Sequence, residues 1–182
     1  MENNIILVDE NDKEIGTMPK LEAHKKGLLH RAFSIVIWNE KEEMLIQKRA
    51  YGKYHSAGLW SNTCCSHPLP GEITEDAADR RLKEECNFNT PLEYRFNFIY
   101  KTELENQLTE NELDHVFVGK YNHTPVPNTE EISELRWICM DDLIFEMNQY
   151  PDQFTYWFKK LALDYTNQIS SQIKQSLPHE SL

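Results

Sequence analysis

The pattern that most constrains the fold is that of a single amphipathic helix between two groups of strand-forming segments. Ala78, Leu82 and Cys86 recur every four residues, which predicts one buried stripe along a helix. Thr74 is suited to the N-cap of this helix, and Asn87 to a left-handed residue at its end. A helix in this place, followed by more strands and then by helical segments, predicts an α+β fold.

Strand and helix patterns fill the rest of the chain. Strands are predicted over residues 5–8, 32–38, 44–48, 94–102, 113–121 and 135–139, the second and third as a hairpin. An acidic loop is predicted over 103–111, and helices over 20–26, 141–149 and 152–171. We therefore expect mixed β-sheets flanked by α-helices, with C-terminal helices and a frayed tail over about 172–182.

The size and composition are those of one globular domain. A chain of 182 residues with 40% hydrophobic and 11% aromatic residues can bury a sizeable core, so residues 1–182 are expected to form a single domain. No apolar run approaches the roughly 20 residues that cross a bilayer. The chain starts without the basic and apolar regions of a signal peptide, and its four cysteines show no CxxC spacing. A cytoplasmic protein with free thiols is therefore expected.

The charge balance limits the kinds of partner. Nineteen Lys and Arg against thirty Asp and Glu give a net charge of −11, which argues against nucleic-acid or anionic-membrane binding. A small phosphorylated ligand is compatible with this charge where a local basic cluster and a metal ion overcome the negative field. We expect a monomer or weak dimer whose partner is a small molecule.

The segment from Trp60 to Glu72 places a thiol, an imidazole and a carboxylate close together before the central helix. If the segment is extended, Cys65 and His67 share one face and Cys64 lies on the other. A cysteine beside a histidine is a candidate reactive thiol, because a nearby imidazolium or metal lowers the thiol pKa. The alternative is that both cysteines are small buried hydrophobic residues, and this segment alone favours that alternative.

The residues that follow resemble the Nudix box, a loop and helix that hold a divalent metal against a diphosphate. The matching residues are Gly71, Glu72, Arg80, Glu84 and Glu85. The run departs from the box at Ser66 and Asn87, where the box has glycine, and at Arg81, where the box has glutamate. Loss of a helix carboxylate weakens the metal cluster that a hydrolase needs, whereas an arginine favours contact with a diphosphate. The alternative is a solvated helix with salt bridges.

Further motifs are similar to those of type I isopentenyl-diphosphate isomerase, a branch of the Nudix fold. The most specific are Cys65, His67 and Pro68 in one unit, the upstream His24 and His30, and the later pair Glu110 and Glu112. The resemblance runs from about residue 5 to residue 163. It implies a Nudix-type fold and the interconversion of isopentenyl and dimethylallyl diphosphate.

The resemblance also implies two metal ions and a diphosphate site. The first ion, Mg²⁺, Mn²⁺ or Zn²⁺, would be held by three imidazoles and two carboxylates. Its implied ligands are His24, His30, His67, Glu110 and Glu112. The second ion, Mg²⁺, would bridge Glu85 and the diphosphate. The implied diphosphate contacts are Lys20, Arg49, Lys53 and Arg81, which would form the local basic cluster that an acidic chain requires.

The same resemblance assigns the proton transfers. Glu112, helped by Tyr100, is expected to protonate the terminal alkene carbon, and the Cys65 thiolate to remove a proton from C2, in a reversible reaction. Trp157 is expected to stabilise the carbocation through its π-face, with plain helix packing as the alternative. Two other functions stay open: a Nudix hydrolase of nucleoside or isoprenoid diphosphates, and a Nudix-fold ligand sensor. The missing helix carboxylate argues against the hydrolase, and the full set of matched groups against the sensor.

Overall fold

The computed structural model describes residues 4–171, and the predicted frayed tail over 172–182 lies outside them. The strands are β1 (Asn4–Val8), β2 (Glu14–Pro19), β3 (His30–Trp38), β4 (Glu43–Arg49), β5 (Trp60–Ser61), β6 (Cys64–Ser66), β7 (Leu92–Glu103), β8 (Thr109–Lys120) and β9 (Ile132–Cys139). The α-helices are α1 (Lys20–Lys26), α2 (Thr74–Cys86), α3 (Met140–Gln149) and α4 (Tyr156–Asp164). This order confirms the predicted α+β class with C-terminal helices. Among the described residues, every helix is too short or too polar to cross a membrane.

The nine described strands belong to one mixed sheet in which β3 is central. β3 runs parallel to β8 from His30, beside Glu112, to Trp38, beside Lys120. On its other edge β3 pairs with β1, β6 and β4, all antiparallel. Farther out, β7 pairs with β8, β9 with β4 and β2 with β1, again antiparallel. The parallel pair therefore brings together two segments that are far apart in the sequence.

The segment before α2 fills the gap where β3 and β4 separate, since these strands pair only at their joined ends. The Thr63 hydroxyl accepts a hydrogen bond from Ile37 N–H at 3.0 Å and donates one to the Leu45 carbonyl at 2.6 Å. The Asn62 amide donates to the Ile35 carbonyl at 3.2 Å. These buried side chains satisfy backbone groups that strand pairing would otherwise satisfy. They also hold β6, and with it Cys65, against β3.

The sheet has a hydrophobic core on each face, because successive side chains of a strand point to opposite sides. One core lies under α2 and includes Phe33, Ile35, Cys64, Leu82 and Cys86. The other lies under α4 and includes Val36, Val116, Trp157, Phe158 and Leu161. Cys64 belongs to the first core and Cys65 packs against the second. The predicted separation of the two thiols is confirmed.

The helix predicted over residues 152–171 is wrong at both ends, because α4 covers only Tyr156–Asp164. Phe154 instead forms a parallel bridge with Trp60. The N–H of the next residue, Thr155, donates to the Trp60 carbonyl at 2.9 Å. This pairing keeps the chain extended before α4 and attaches the helix to the segment that carries the cysteines.

Two other predicted boundaries differ from the structure. The acidic loop is shorter than 103–111, since β7 and β8 pair as far as Glu103 and Thr109. Helix α2 begins one residue earlier than expected, with Ile73 as the N-cap, because the Ala77 N–H donates to the Ile73 carbonyl at 3.0 Å. Its end is as predicted, with Asn87 in the left-handed conformation at φ 59°.

Candidate active site

Strand register assembles the first half of the site. His30 lies directly beside Glu112 in the β3–β8 pair, and Tyr100 lies beside Glu112 in the β7–β8 pair. Directly paired residues share a face of the sheet, so the three side chains converge. The Tyr100 hydroxyl donates to Glu112 Oε2 at 2.6 Å. Glu110, two residues earlier on β8, projects to the same face.

Three histidines from different elements surround the two carboxylates. His24 Nε2 lies 3.3 Å from Glu110 Oε2, and His30 Nε2 lies 3.4 Å from Glu112 Oε1. His67, which follows β6, places its Nε2 2.8 Å from the same Glu112 oxygen. One donor atom from each of His24, His30, His67 and Glu112 lies within 4.8 Å of the others. The structure thus brings together the five residues that the resemblance implies as ligands.

The histidine tautomers direct nitrogen lone pairs at these carboxylates. The Nδ1 atoms of His24 and His30 lie 2.7 and 2.8 Å from the carbonyl oxygens of Lys20 and Leu28. A carbonyl only accepts, so Nδ1 carries the hydrogen and Nε2 of the neutral ring is a lone pair. Both Nε2 atoms and Glu110 Oε2 are buried without a hydrogen-bond partner among the described residues. A cation between them would satisfy all three, so the donor set fits a divalent metal.

The two glutamates ionise differently. Burial, and next the negative charge of Glu112, raise the pKa of Glu110 well above the usual carboxyl range. Burial also acts to raise the pKa of Glu112, but the imidazoles of His30 and His67 outweigh it and hold that pKa well below the usual range. Burial lowers the pKa of His67 to about 3 and lowers the pKa of His24. His24 and His67 are therefore neutral, as metal ligands must be.

A fourth histidine, His55, belongs to this cluster although no sequence motif predicts a role for it. Its side chain is buried, and its Nε2 lies 3.3 Å from Glu110 Oε1. Its ring stacks on that of His24 with a centroid distance of 5.8 Å. Burial lowers the pKa of His55 to about 2. The only sequence signal is its position two residues after Lys53, in a segment without regular periodicity.

Cys65 lies in a cavity beside the cluster. The cavity has a volume of about 40 Å³ and is lined by Lys20, Arg49, His55, Cys65, Ser66, His67, Tyr100, Glu110, Glu112 and Trp157. Burial raises the pKa of Cys65 to about 12, although the positive charge of the nearby Arg49 acts to lower it. The thiol form is therefore favoured at neutral pH, and the role of Cys65 as a thiolate base stays a prediction. The reading of both cysteines as buried hydrophobic residues holds only for Cys64, which is fully buried.

Trp157 forms one wall of this cavity and also packs in the core under α4. Its indole N–H donates to the Ser61 hydroxyl at 3.0 Å. The Arg49 guanidinium carbon lies 5.3 Å from the centroid of the Trp157 ring. Trp157 therefore packs in the core and also lines the cavity, while its stabilisation of a carbocation stays a prediction.

A second, basic cavity adjoins the first, with Lys20, Ser66 and His67 lining both. It has a volume of about 220 Å³ and is lined by Asn4, Ile5, Lys20, Lys53, Ser66, His67, Leu69, Arg80, Arg81 and Glu131. Glu131 forms ion pairs with both Lys53 and Arg81. Three of the four implied diphosphate contacts thus meet in this cavity, whereas Arg49 lines the smaller one.

Glu85 lies apart from the histidine cluster. It is buried on α2, where the Arg81 guanidinium donates to its Oε1 and the Gln47 amide approaches its Oε2 at 3.4 Å. Neither group of candidate metal ligands around His24 includes Glu85. Its place beside Arg81 puts it near the basic cavity, where a second ion could contact both Glu85 and a diphosphate.

Comparisons with known proteins give two close relatives. The chain is 49% identical over 159 residues to isopentenyl-diphosphate Delta-isomerase 1 of Aromatoleum aromaticum, over 87% of this chain and 90% of the relative. It is 48% identical over 161 residues to isopentenyl-diphosphate Delta-isomerase 2 of Photorhabdus laumondii, over 88% of this chain and 91% of the relative. Residues 28–158 match the NUDIX domain.

Solved structures share the fold at low sequence identity. The crystal structure of DR0079 from Deinococcus radiodurans has a TM-score of 0.73 and 18% identity, over 87% of this chain and 96% of that chain. The MutT protein of Methanosarcina mazei has a TM-score of 0.63 and 19% identity, over 77% and 94%. These likenesses confirm the predicted Nudix-type fold. The chain therefore belongs to the NUDIX family and, within it, to the isopentenyl-diphosphate Delta-isomerases.

Proposed function

We propose that this chain interconverts isopentenyl diphosphate and dimethylallyl diphosphate in isoprenoid precursor biosynthesis, with Cys65 and Glu112 as the groups that transfer protons. Membership of the isomerase family supports the activity. The observation that carries the residue assignment is the small cavity that Cys65 lines together with Glu112 and Tyr100. Moving a double bond by one carbon needs one group that adds a proton and another that removes one.

The diphosphate and the hydrocarbon chain of the substrate would bind in different cavities, which adjoin each other. The diphosphate is placed in the basic cavity, where Lys20, Lys53 and Arg81 supply positive charge, and Arg49 contacts it from the smaller cavity. The short hydrocarbon chain enters the smaller cavity. Because Lys20 lines both cavities, it lies where the phosphate end meets the reacting carbons.

The proton transfers follow from the ionisation of the two groups. With Cys65 as thiol and Glu112 as carboxylate, the reaction starts from dimethylallyl diphosphate. The C2=C3 π-electron pair takes the thiol proton at C2, which leaves a tertiary carbocation at C3. Glu112, assisted by the Tyr100 hydroxyl, then takes a proton from C4, and that C–H electron pair becomes the C3=C4 double bond of isopentenyl diphosphate. The turnover ends with Cys65 thiolate and protonated Glu112. That state starts the opposite direction, with Glu112 as the acid.

The first metal ion would be held by the histidine and glutamate cluster formed by His24, His30, His67, Glu110 and Glu112. Bound there, Mg²⁺, Mn²⁺ or Zn²⁺ supplies positive charge that stabilises the carboxylates in a dry cavity. Glu85 would hold the second ion, Mg²⁺, whose positive charge would offset the negative charge of the diphosphate. The Nε2 atoms of His24, His30 and His67 lie 3.3, 3.4 and 2.8 Å from carboxylate oxygens of Glu110 and Glu112, so nitrogen and oxygen donors converge on the place of the first ion.

The indole of Trp157, which forms one wall of the smaller cavity, would stabilise the carbocation. Trp157 is 4% exposed and anchored by its hydrogen bond to Ser61, so the indole holds its position while the carbocation forms. A π-face near a cation stabilises it by roughly 0.5–2 kcal/mol. A closed wall also keeps water from adding to the carbocation.

We also propose that the chain works in the cytoplasm as a monomer or weak dimer, without nucleic acid or a membrane as partner. The net charge of −11 supports the absence of polyanionic partners. A reducing compartment suits the free thiol of Cys65.

The test is a reaction in D₂O with isopentenyl diphosphate, Mg²⁺ and Mn²⁺, followed by NMR and phosphate analysis. The expected product is dimethylallyl diphosphate that carries solvent deuterium, without phosphate release at a comparable rate. The double variant C65A/E112Q should stop deuterium uptake, because both proton-transferring groups are then absent. Phosphate release without deuterium uptake would replace the isomerase by the alternative hydrolase.

A further inference from the structure

We infer that His55 is a sixth protein ligand of the metal site formed by the three histidines and two glutamates. This inference rests on the metal binding of the proposed function and adds a residue to it. His55 is 4% exposed, although it lies in the connection between β4 and β5 next to Tyr54, which is 41% exposed. Burying the polar imidazole ring of His55 costs free energy unless the ring finds a hydrogen-bond partner or a metal ion in the site.

The imidazole nitrogens of His55 and His24 lie against the two carboxylate oxygens of Glu110. His55 Nε2 lies 3.3 Å from Glu110 Oε1, and His24 Nε2 lies 3.3 Å from Glu110 Oε2. Adjacent ligands on an octahedral ion at about 2.1–2.3 Å are about 3.0–3.3 Å apart. Donor atoms of His24, His55 and Glu110 lie within 4.8 Å of one another, which also accommodates ligands on opposite sides of one ion.

The number of donors supports a shared site. The five implied ligands leave one position of an octahedral Mg²⁺ or Mn²⁺ ion without a protein ligand. His24 belongs both to the group with His30, His67 and Glu112 and to the group with His55 and Glu110. The two groups meet at His24, whose Nε2 also lies 3.3 Å from Glu110 Oε2, so Glu110 and His55 adjoin the donors of the first group.

The backbone of His55 is fixed from two sides. The Arg49 guanidinium donates to the His55 carbonyl at 3.3 Å and to the Ser56 carbonyl at 3.2 Å. The Ser56 N–H donates to a Glu105 carboxylate oxygen from the β7–β8 connection. This support holds the imidazole in the cavity before any ligand binds, as a preorganised donor requires.

The alternative role is positioning, in which the His55 N–H only donates a hydrogen bond to Glu110. Two variants separate the roles. His55→Ala removes both the ligand and the hydrogen-bond donor, whereas His55→Gln keeps an amide N–H that can donate to Glu110. His123→Ala is the control, because His123 is an exposed histidine outside the site.

The experiment measures the affinity of each protein for Mn²⁺ by competition with a fluorescent chelator, and counts bound imidazoles by X-ray absorption. We expect four imidazoles in the unchanged chain and three in both His55 variants. We also expect both variants to bind Mn²⁺ at least about 10- to 100-fold more weakly, the loss that even an outer-shell partner of a ligand causes, with His123→Ala unchanged. Full affinity in His55→Gln would overturn the ligand role in favour of positioning, and full affinity in both variants would exclude either role. A lack of Mn²⁺ binding by the unchanged chain would overturn the metal site of the proposed function itself.

Discussion

At the residue scale, Cys64 and Cys65 are chemically identical neighbours that the strand β6 turns to opposite faces of the sheet. Cys65 lines the cavity with Glu112, whereas Cys64 is fully buried in the core under α2. We expect Cys65→Ala to lower kcat by about 10³-fold, since one proton-transferring group commonly contributes 10²–10⁴-fold. Stopped assays with isopentenyl diphosphate measure this loss.

The matched control is Cys64→Ala. It should keep most of the activity and cost about 1 kcal/mol of unfolding free energy, because it only shortens a core side chain. Urea unfolding of both variants separates stability from catalysis. If Cys64→Ala were the inactive variant and Cys65→Ala the active one, the assignment of the two faces would be wrong.

The sequence predicted those site residues that belong to a recognisable family motif. His24, His30 and His67 are dispersed in the sequence, and only their resemblance to a family motif brings them together in advance. His55 has no such signal, because its role depends on the fold of an irregular loop over the cavity. The protonation of Cys65 was also out of reach, since its pKa depends on burial that no local pattern reports.

At the element scale, helix α2 ends at Asn87, whose left-handed backbone conformation terminates the helix. Asn87 is left-handed, and its amide donates to the Val126 carbonyl at 2.6 Å. We expect Asn87→Ala to lower the unfolding free energy by about 1–2 kcal/mol, because it adds left-handed strain and removes the hydrogen bond. Asn87→Gly removes the bond without adding strain, so it should be less destabilising. Urea unfolding compares the two, and equal losses would show that strain has no part.

Periodicity predicted those elements whose burial follows a regular pattern. The buried stripe of α2 and the range of α1 are as expected, with Gly27 left-handed at the end of α1. β2 was not predicted, since it is an edge strand without a buried residue and shows no alternation. The last helix was predicted too long because Phe154 continues its apolar pattern, while the bridge to Trp60 keeps the chain extended.

At the scale of the whole molecule, the site is where one sheet joins distant parts of the chain. Its histidines come from α1, β3, the loop after β4 and the segment after β6, and its carboxylates come from β8. A metal ion bound there would connect these elements directly. Metal binding would therefore stabilise the whole fold, because a ligand that binds only the folded state stabilises it.

The stability of the folded molecule should depend on pH through His67. Burial lowers the pKa of His67 to about 3, whereas an unfolded histidine titrates near pH 6.5. The stability that comes from the neutral imidazole is therefore present above about pH 6.5 and is lost as the pH falls toward 3. The raised pKa of Glu110 acts in the opposite direction, since it favours the folded state at lower pH. A comparison with a variant that lacks His67 separates the contribution of this histidine from that of Glu110.

We therefore compare the unchanged chain with His67→Asn, both with a chelator, by urea unfolding at pH 7 and pH 5.5. The unchanged chain should lose about 1 kcal/mol more than the variant over this interval, because only its unfolded state gains the proton of His67. His123→Asn serves as control, since this exposed histidine lies outside the site, and should behave like the unchanged chain. Adding Mn²⁺ should then stabilise the unchanged chain by about 2.7 kcal/mol at 100 times its Kd, and His67→Asn by clearly less. Equal pH dependence and equal Mn²⁺ stabilisation in the two proteins would remove His67 from the metal site.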